Sequence, residues 1–100
     1  RPPGSVERYN INSQDRGWVE SLLTPQPLGV SLQSIHLTGA RDRVARKSYI
    51  RATAWESPHF QNCYDTLKCD PSWQVFELHC GHDVMIDMPN ELTNILIAVA

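Results

Sequence analysis

Apolar positions are scattered without a sustained period through the first half of the chain and fall into regular patterns in the second. Residues 1–17 are polar, with Pro2, Pro3, Gly4, Asn10, Asn12, Ser13 and Gly17, and read as loop. Trp18, Val19, Leu22 and Leu23 have helical spacing over about a turn and a half, with Asp15 as its cap. Pro25 and Pro27 stop that helix by removing donors and biasing their neighbours to extended backbone. Val30 to Thr38 reads as an irregular extended segment. Gly39 to Lys47, with Arg41, Asp42, Arg43 and Arg46, reads as a solvated loop. From Ser48 the pattern sharpens. Tyr49, Ile50, Ala52 and Ala54 predict a strand over 48–54. Ser57-Pro58 is a helix start, because Ser57 can cap free N–H groups and proline at the first helical position sacrifices no bond. Phe60, Cys63, Tyr64 and Leu67 then form one apolar stripe, and Asp70-Pro71 ends the helix. Trp73 to Leu78 is a second strand. Pro89 opens a last helix with Glu91 in its first turn and Leu92, Ile95, Leu96 and Val99 on its buried face.

Strand, helix, strand, helix implies a βαβ crossover and a parallel sheet, hence an α/β class. Parallel sheets are covered on both faces and protected at their edges. Two strands and two helices cannot do this alone. The expectation is the C-terminal portion of a larger α/β domain, incomplete as a stand-alone unit. The start Arg1-Pro2-Pro3-Gly4, without an initiator methionine, fits a fragment, a processed product or an incomplete reading frame.

Composition narrows the function classes. One hundred residues make at most one small domain, and 41% apolar residues allow only a modest core. The net charge of −2 is mixed in sign, with no basic face to track a phosphate backbone, so nucleic acid is not an expected partner. The longest apolar run, Ile95 to Ala100, is far below the ~20 residues of a membrane span. Cys63, Cys69 and Cys80 are odd in number and irregularly spaced, which fits reduced thiols in a cytoplasmic protein better than a disulfide framework.

The candidate chemistry centres on Glu77-Leu78-His79-Cys80-Gly81-His82-Asp83, with Met85 and Pro89 behind it. A histidine on the loop after a buried strand is aimed by a rigid scaffold, and Gly81 lets the backbone turn there. His82 is the candidate general base; the alternative is a solvated loop histidine. Nucleophilic hydrolysis also needs a nucleophile and an acid that orients the base. No Gly-x-Ser-x-Gly turn occurs, and Ser31, Ser34, Ser48 and Ser57 lack flanking glycines. The acid is expected on the loop after the first strand, where Glu56 is the one candidate; a solvated carboxylate near a helix start is the alternative. Trp55, at the strand end, is the tryptophan placed to face a substrate pocket. His59, Cys63, Cys69, His79, Cys80 and His82 lack the paired short spacings of a zinc site, and no metal is expected.

Ser48-Tyr49-Ile50-Arg51-Ala52-Thr53, Ser57-Pro58-His59-Phe60-Gln61, Glu77 to Met85 and Pro89-Asn90-Glu91-Leu92 resemble the C-terminal end of α/β-hydrolases. The group they resemble is the small esterases related to plant hydroxynitrile lyases and methylesterases and to bacterial pyrethroid-type esterases. Asp15-Arg16-Gly17-Trp18-Val19 and Leu23 to Leu28 resemble the end of their lid. The resemblance implies that residues 1–46 are the end of the lid and a connecting loop. Residues 47–100 are then the C-terminal β-α-β-α of the core. It implies that His82 is the catalytic histidine of a serine carboxylesterase acting on a small apolar ester. The serine and oxyanion hole would lie in an N-terminal half outside these residues, and no metal or organic cofactor is needed. Several relatives carry an aspartate where this chain has Ala54-Trp55-Glu56, so Glu56 substitutes for it, or the acid role is lost or lies elsewhere. A lyase using the same histidine, a non-catalytic small-molecule binder and an inactive truncated product are the alternatives on this scaffold.

Overall fold

The computed structural model describes all 100 residues and has the α/β character read from the sequence. Its centre is a two-stranded parallel sheet, β1 (Lys47–Ala52) and β2 (Trp73–Leu78), in register from Lys47 opposite Trp73 to Ala52 opposite Leu78. The Lys47 ammonium lies 5.6 Å from the Trp73 ring centroid, a cation–π contact at the first rung. The pairing outlasts the strands. The N–H groups of Thr53 and Ala54 donate to the carbonyls of Leu78 and Cys80, so the predicted strand to Ala54 ends in a turn that still follows its neighbour.

Five α-helices, α1 (Arg16–Leu22), α2 (Leu28–Leu32), α3 (Pro58–Leu67), α4 (Val84–Asp87) and α5 (Pro89–Val99), and one 3-10 turn at Ala40–Arg43, inside the stretch read as a loop, complete the chain. α3 is the crossover between the strands, and its start follows the sequence expectation. The Ser57 hydroxyl accepts the Phe60 N–H at 3.3 Å, and Pro58 occupies the first turn. The Tyr49 hydroxyl donates to the Phe60 carbonyl at 3.1 Å and ties β1 to this helix.

Three expectations need correction. α1 begins at Arg16, and the Asp15 side chain does not cap it, because its carboxylate accepts the Asn12 amide N–H at 2.7 Å instead. Val30 to Leu32 belongs to the short helix α2 rather than to an extended segment; extended backbone begins at Gln33. On α5, Leu92, Ile95 and Val99 are half-buried, but Leu96 is exposed, since the helix packs chiefly against α4 rather than across the sheet.

Only five residues are buried: Val6, Ile11, Arg51, Cys80 and Gly81. Four of them lie in the first twelve residues or in the loop after β2. The tightest packing is therefore where the N-terminal segment crosses the end of the sheet. By contrast, every residue from 21 to 46 is exposed, including Leu28, Leu32, Ile35 and Leu37. No helix is long and apolar enough to cross a membrane.

Candidate active site

β2 ends at Leu78, and the chain turns through Cys80-Gly81 to present His82 at the carboxyl end of the sheet, where open α/β sheets hold their ligands. The imidazole is half-buried and boxed by three aromatic rings. Trp55 lies 4.3 Å away, Tyr9 stacks at 5.2 Å and Phe60 stacks at 6.2 Å, all between centroids. Each ring comes from a different part of the chain: the N-terminal segment, the β1–α3 turn and α3. Neither imidazole nitrogen is hydrogen-bonded, so both lone pair and N–H are free for a reacting group.

The ring opens on a cavity of about 180 Å³ whose lining includes Tyr49, Trp55, Phe60, Val84 and His82. The walls are mostly apolar, and Arg51 is their one charged group. Trp55, the tryptophan the sequence reading places at a pocket, lies beside the histidine. Its indole N–H donates to the Arg8 carbonyl at 2.8 Å, which fixes the ring plane against the N-terminal segment.

Glu56 is placed differently. It is exposed and lines a separate hollow with Arg51, Ser57 and Gln61, and no hydrogen bond links it to His82. The structure therefore brings His82 and Trp55 together and leaves Glu56 apart. Asp83, the neighbour of His82, contributes its carbonyl to α4, accepting the N–H groups of Ile86 and Asp87. His59, Cys63, Cys69 and His79 do not converge, and no group of three or more ligating side chains is poised to hold a metal.

Arg51 explains the shape of the turn that carries Trp55. It is 5% exposed, and its guanidinium donates to the Gln61 side-chain oxygen at 3.2 Å, to the Trp55 carbonyl at 3.0 Å and to the Ala52 carbonyl. No carboxylate pairs with it. The planar fork gathers the carbonyls of the β1–α3 turn, a role a lysine point charge would not fill.

The N-terminal segment supplies the rest of the frame. The His82 N–H donates to the Tyr9 carbonyl at 2.8 Å, and the Asn10 side-chain amide donates to the Ala54 carbonyl at 3.2 Å. Asn10 sits at φ 53°, a left-handed position that asparagine tolerates. A Cβ on Gly81 would collide with the Asn10 carbonyl, so only glycine allows the two backbones to meet there. The Asp87 carboxylate accepts three N–H groups: the backbone and side-chain amides of Asn12 at 2.9 and 2.8 Å, and the backbone of Gly81 at 3.1 Å. Cys80, buried beside this carboxylate, has its thiol pKa raised, first by burial and then by the charges of Asp87 and Glu91.

Sequence reasoning missed Tyr9, Asn12, Arg51 and Asp87. The signals were faint: two asparagines bracketing Ile11, and an arginine inside an otherwise apolar strand.

Among curated proteins, the chain is similar to a carbendazim hydrolyzing esterase from Nocardioides sp. (strain SG-4G), with 36% identity over 97 residues. The match covers 97% of this chain and 40% of that relative, so the chain spans about two fifths of the relative's length. No family model matches the chain. No solved structure matches it. The similarity supports a relationship to ester-hydrolysing enzymes at that general level.

Proposed function

We propose that this chain contributes the catalytic histidine of a serine carboxylesterase of the α/β-hydrolase fold, acting on a small apolar ester. The observation that carries the proposal is the His82 imidazole, held at the carboxyl end of β2 with both nitrogens free at the mouth of an aromatic cavity. The similarity to an esterase over nearly the whole chain agrees with it.

In this reading a serine hydroxyl outside these residues attacks the ester carbonyl while His82 accepts its proton. His82 then gives that proton to the departing alkoxide, leaving an acyl-enzyme. In the second half-reaction His82 takes a proton from water, whose oxygen attacks the acyl carbon; the bond to the serine oxygen breaks, His82 returns the proton to that oxygen, and the acid leaves. The sequence needs neither metal nor organic cofactor. Trp55 and Phe60 form an apolar wall for the acyl or alcohol group. Glu56 is the proposed orienting acid. Its exposed position requires it to reach the ring through a rearrangement of the β1–α3 turn, or the role belongs to a residue elsewhere. Residues 1–46 would then be the end of a lid with its connection, and 47–100 the end of the core. The open sheet edges and the exposed apolar residues from Leu28 to Leu37 support a missing N-terminal half as the covering partner.

A second reading is a non-catalytic small-molecule binder, favoured by the aromatic cavity itself, which can enclose a ligand without any nucleophile. Hydrolysis of p-nitrophenyl acetate and butyrate, with carbendazim as a third substrate, separates the two. The 100-residue chain and any longer product of the same reading frame are assayed together. Turnover by the longer product supports the esterase. Cooperative folding and ligand binding without turnover favour the binder.

A further inference from the structure

We propose that Asp87 is a positioning residue for His82: it clamps the loop that carries the imidazole onto the N-terminal segment that forms one wall of its box. This rests on the reading of His82 as the base. Asp87 closes α4, a one-turn helix where a negative charge gains nothing from helix polarity. It has no cationic partner. What holds the half-buried carboxylate is a set of three N–H donors, from Asn12 twice and from Gly81 once. Hydrogen bonds to an ionised acceptor are stronger than neutral ones, and here they join residues far apart in sequence. One carboxylate oxygen takes both Asn12 donors and the other takes Gly81, so the side chain bridges the two strands of backbone rather than decorating either.

The bridge acts on the imidazole through one peptide unit. Gly81 N–H is fixed by Asp87, and the next N–H, that of His82, is fixed by the Tyr9 carbonyl. Asn12, on the other side of the bridge, lies three residues from Tyr9, whose ring stacks on the imidazole. Removing the carboxylate therefore frees both the histidine and one wall of its box. Misplacing a catalytic group by about 1 Å costs on the order of a hundredfold in rate.

The test uses the longest product of the reading frame and four variants: Asp87→Ala, Asn12→Ala, the double variant and His82→Ala. Turnover of p-nitrophenyl butyrate is measured with the position of the His82 imidazole C–H resonances. Those resonances report placement directly, because the ring lies against Tyr9, Trp55 and Phe60. The expected result is a kcat reduced roughly 10- to 100-fold in Asp87→Ala with KM little changed, and imidazole resonances displaced. Asn12→Ala keeps its backbone donor and loses about three- to tenfold in kcat, with the imidazole resonances displaced less than in Asp87→Ala. The double variant is no worse than Asp87→Ala, since both act through one bridge. The proposal is overturned if folded Asp87→Ala or Asn12→Ala shows wild-type kcat and unmoved resonances while His82→Ala is dead. If His82→Ala retains turnover, the base reading itself falls and this proposal with it. Should Asp87→Ala fail to fold, Asn12→Ala still decides.

Discussion

The backbone N–H of His82 donates to the Tyr9 carbonyl at 2.8 Å, and the two rings stack with centroids 5.2 Å apart. One contact thus binds the start of the chain to the loop after its last strand, through both backbone and side chain. Truncating the ring removes the stack and part of the packing, while the backbone bond can survive. Tyr9→Ala is expected to lower stability by about 1–2 kcal/mol, read as a shift of the urea midpoint. An unchanged midpoint would show that the N-terminal segment is not part of the folded unit.

Gly81 offers a sharper test of the same contact. A methyl group there meets the Asn10 backbone, which cannot swing aside as a side-chain tip can. Gly81→Ala should cost about 2–3 kcal/mol and disorder the His82 loop. Gly17→Ala and Gly29→Ala make the contrast, since open space surrounds both and both lie in helices. Each should be neutral or stabilising by up to about 1 kcal/mol. Differential scanning calorimetry of the three variants checks the order.

Arg51 is buried without a counter-ion and owes its place to oxygen acceptors on the turn before α3. Arg51→Met leaves the Trp55 and Ala52 carbonyls without these donors, at about 1–3 kcal/mol for each group that water cannot reach. Arg51→Lys should recover little of it, because the fork is lost. With Trp18 and Trp73 replaced by phenylalanine, Trp55 fluorescence monitors the turn; an emission maximum unchanged in both variants would show that Arg51 does not shape the pocket.

Burial raises the Cys80 thiol above its ordinary value, with the neighbouring carboxylates adding to the effect. A folded-state pKa above the unfolded one means that the unfolded chain loses this proton first as pH rises. The folded chain therefore loses stability as pH climbs past about 8.5, and Cys80→Ala should flatten that decline. Alkylation by iodoacetamide at pH 8 should modify the exposed Cys69 well before Cys80. Rapid labelling of Cys80 in folded protein would contradict its burial.

The βαβ unit was legible because its cues are local. Ser57-Pro58 starts a helix by its own chemistry, the Phe60 to Leu67 stripe follows at helical period, and Trp73 to Leu78 is a compact apolar run. Trp55 and His82 meet because both follow the carboxyl ends of neighbouring parallel strands. α2 was not legible because Val30 to Leu32 carry no helical period long enough to read, and with the whole stretch exposed no buried face imposes one. The N-terminal frame was illegible for a different reason. Val6 and Ile11 are single apolar residues in a polar run, and the segment is tied down by bonds such as that of Asn12 to Asp87, seventy-five residues away. Glu56 illustrates the limit of placing a site by loop position alone: it occupies the expected loop and faces another hollow.

His82 as general base is tested most directly by comparing His82→Ala and His82→Gln with the parent in p-nitrophenyl butyrate hydrolysis, using the longest folded product of the reading frame. Loss of a triad histidine removes most of the rate and leaves only what binding and the oxyanion hole supply. Both variants should fold and lose at least about a thousandfold in kcat. Turnover in either variant within a few-fold of the parent would contradict the proposal.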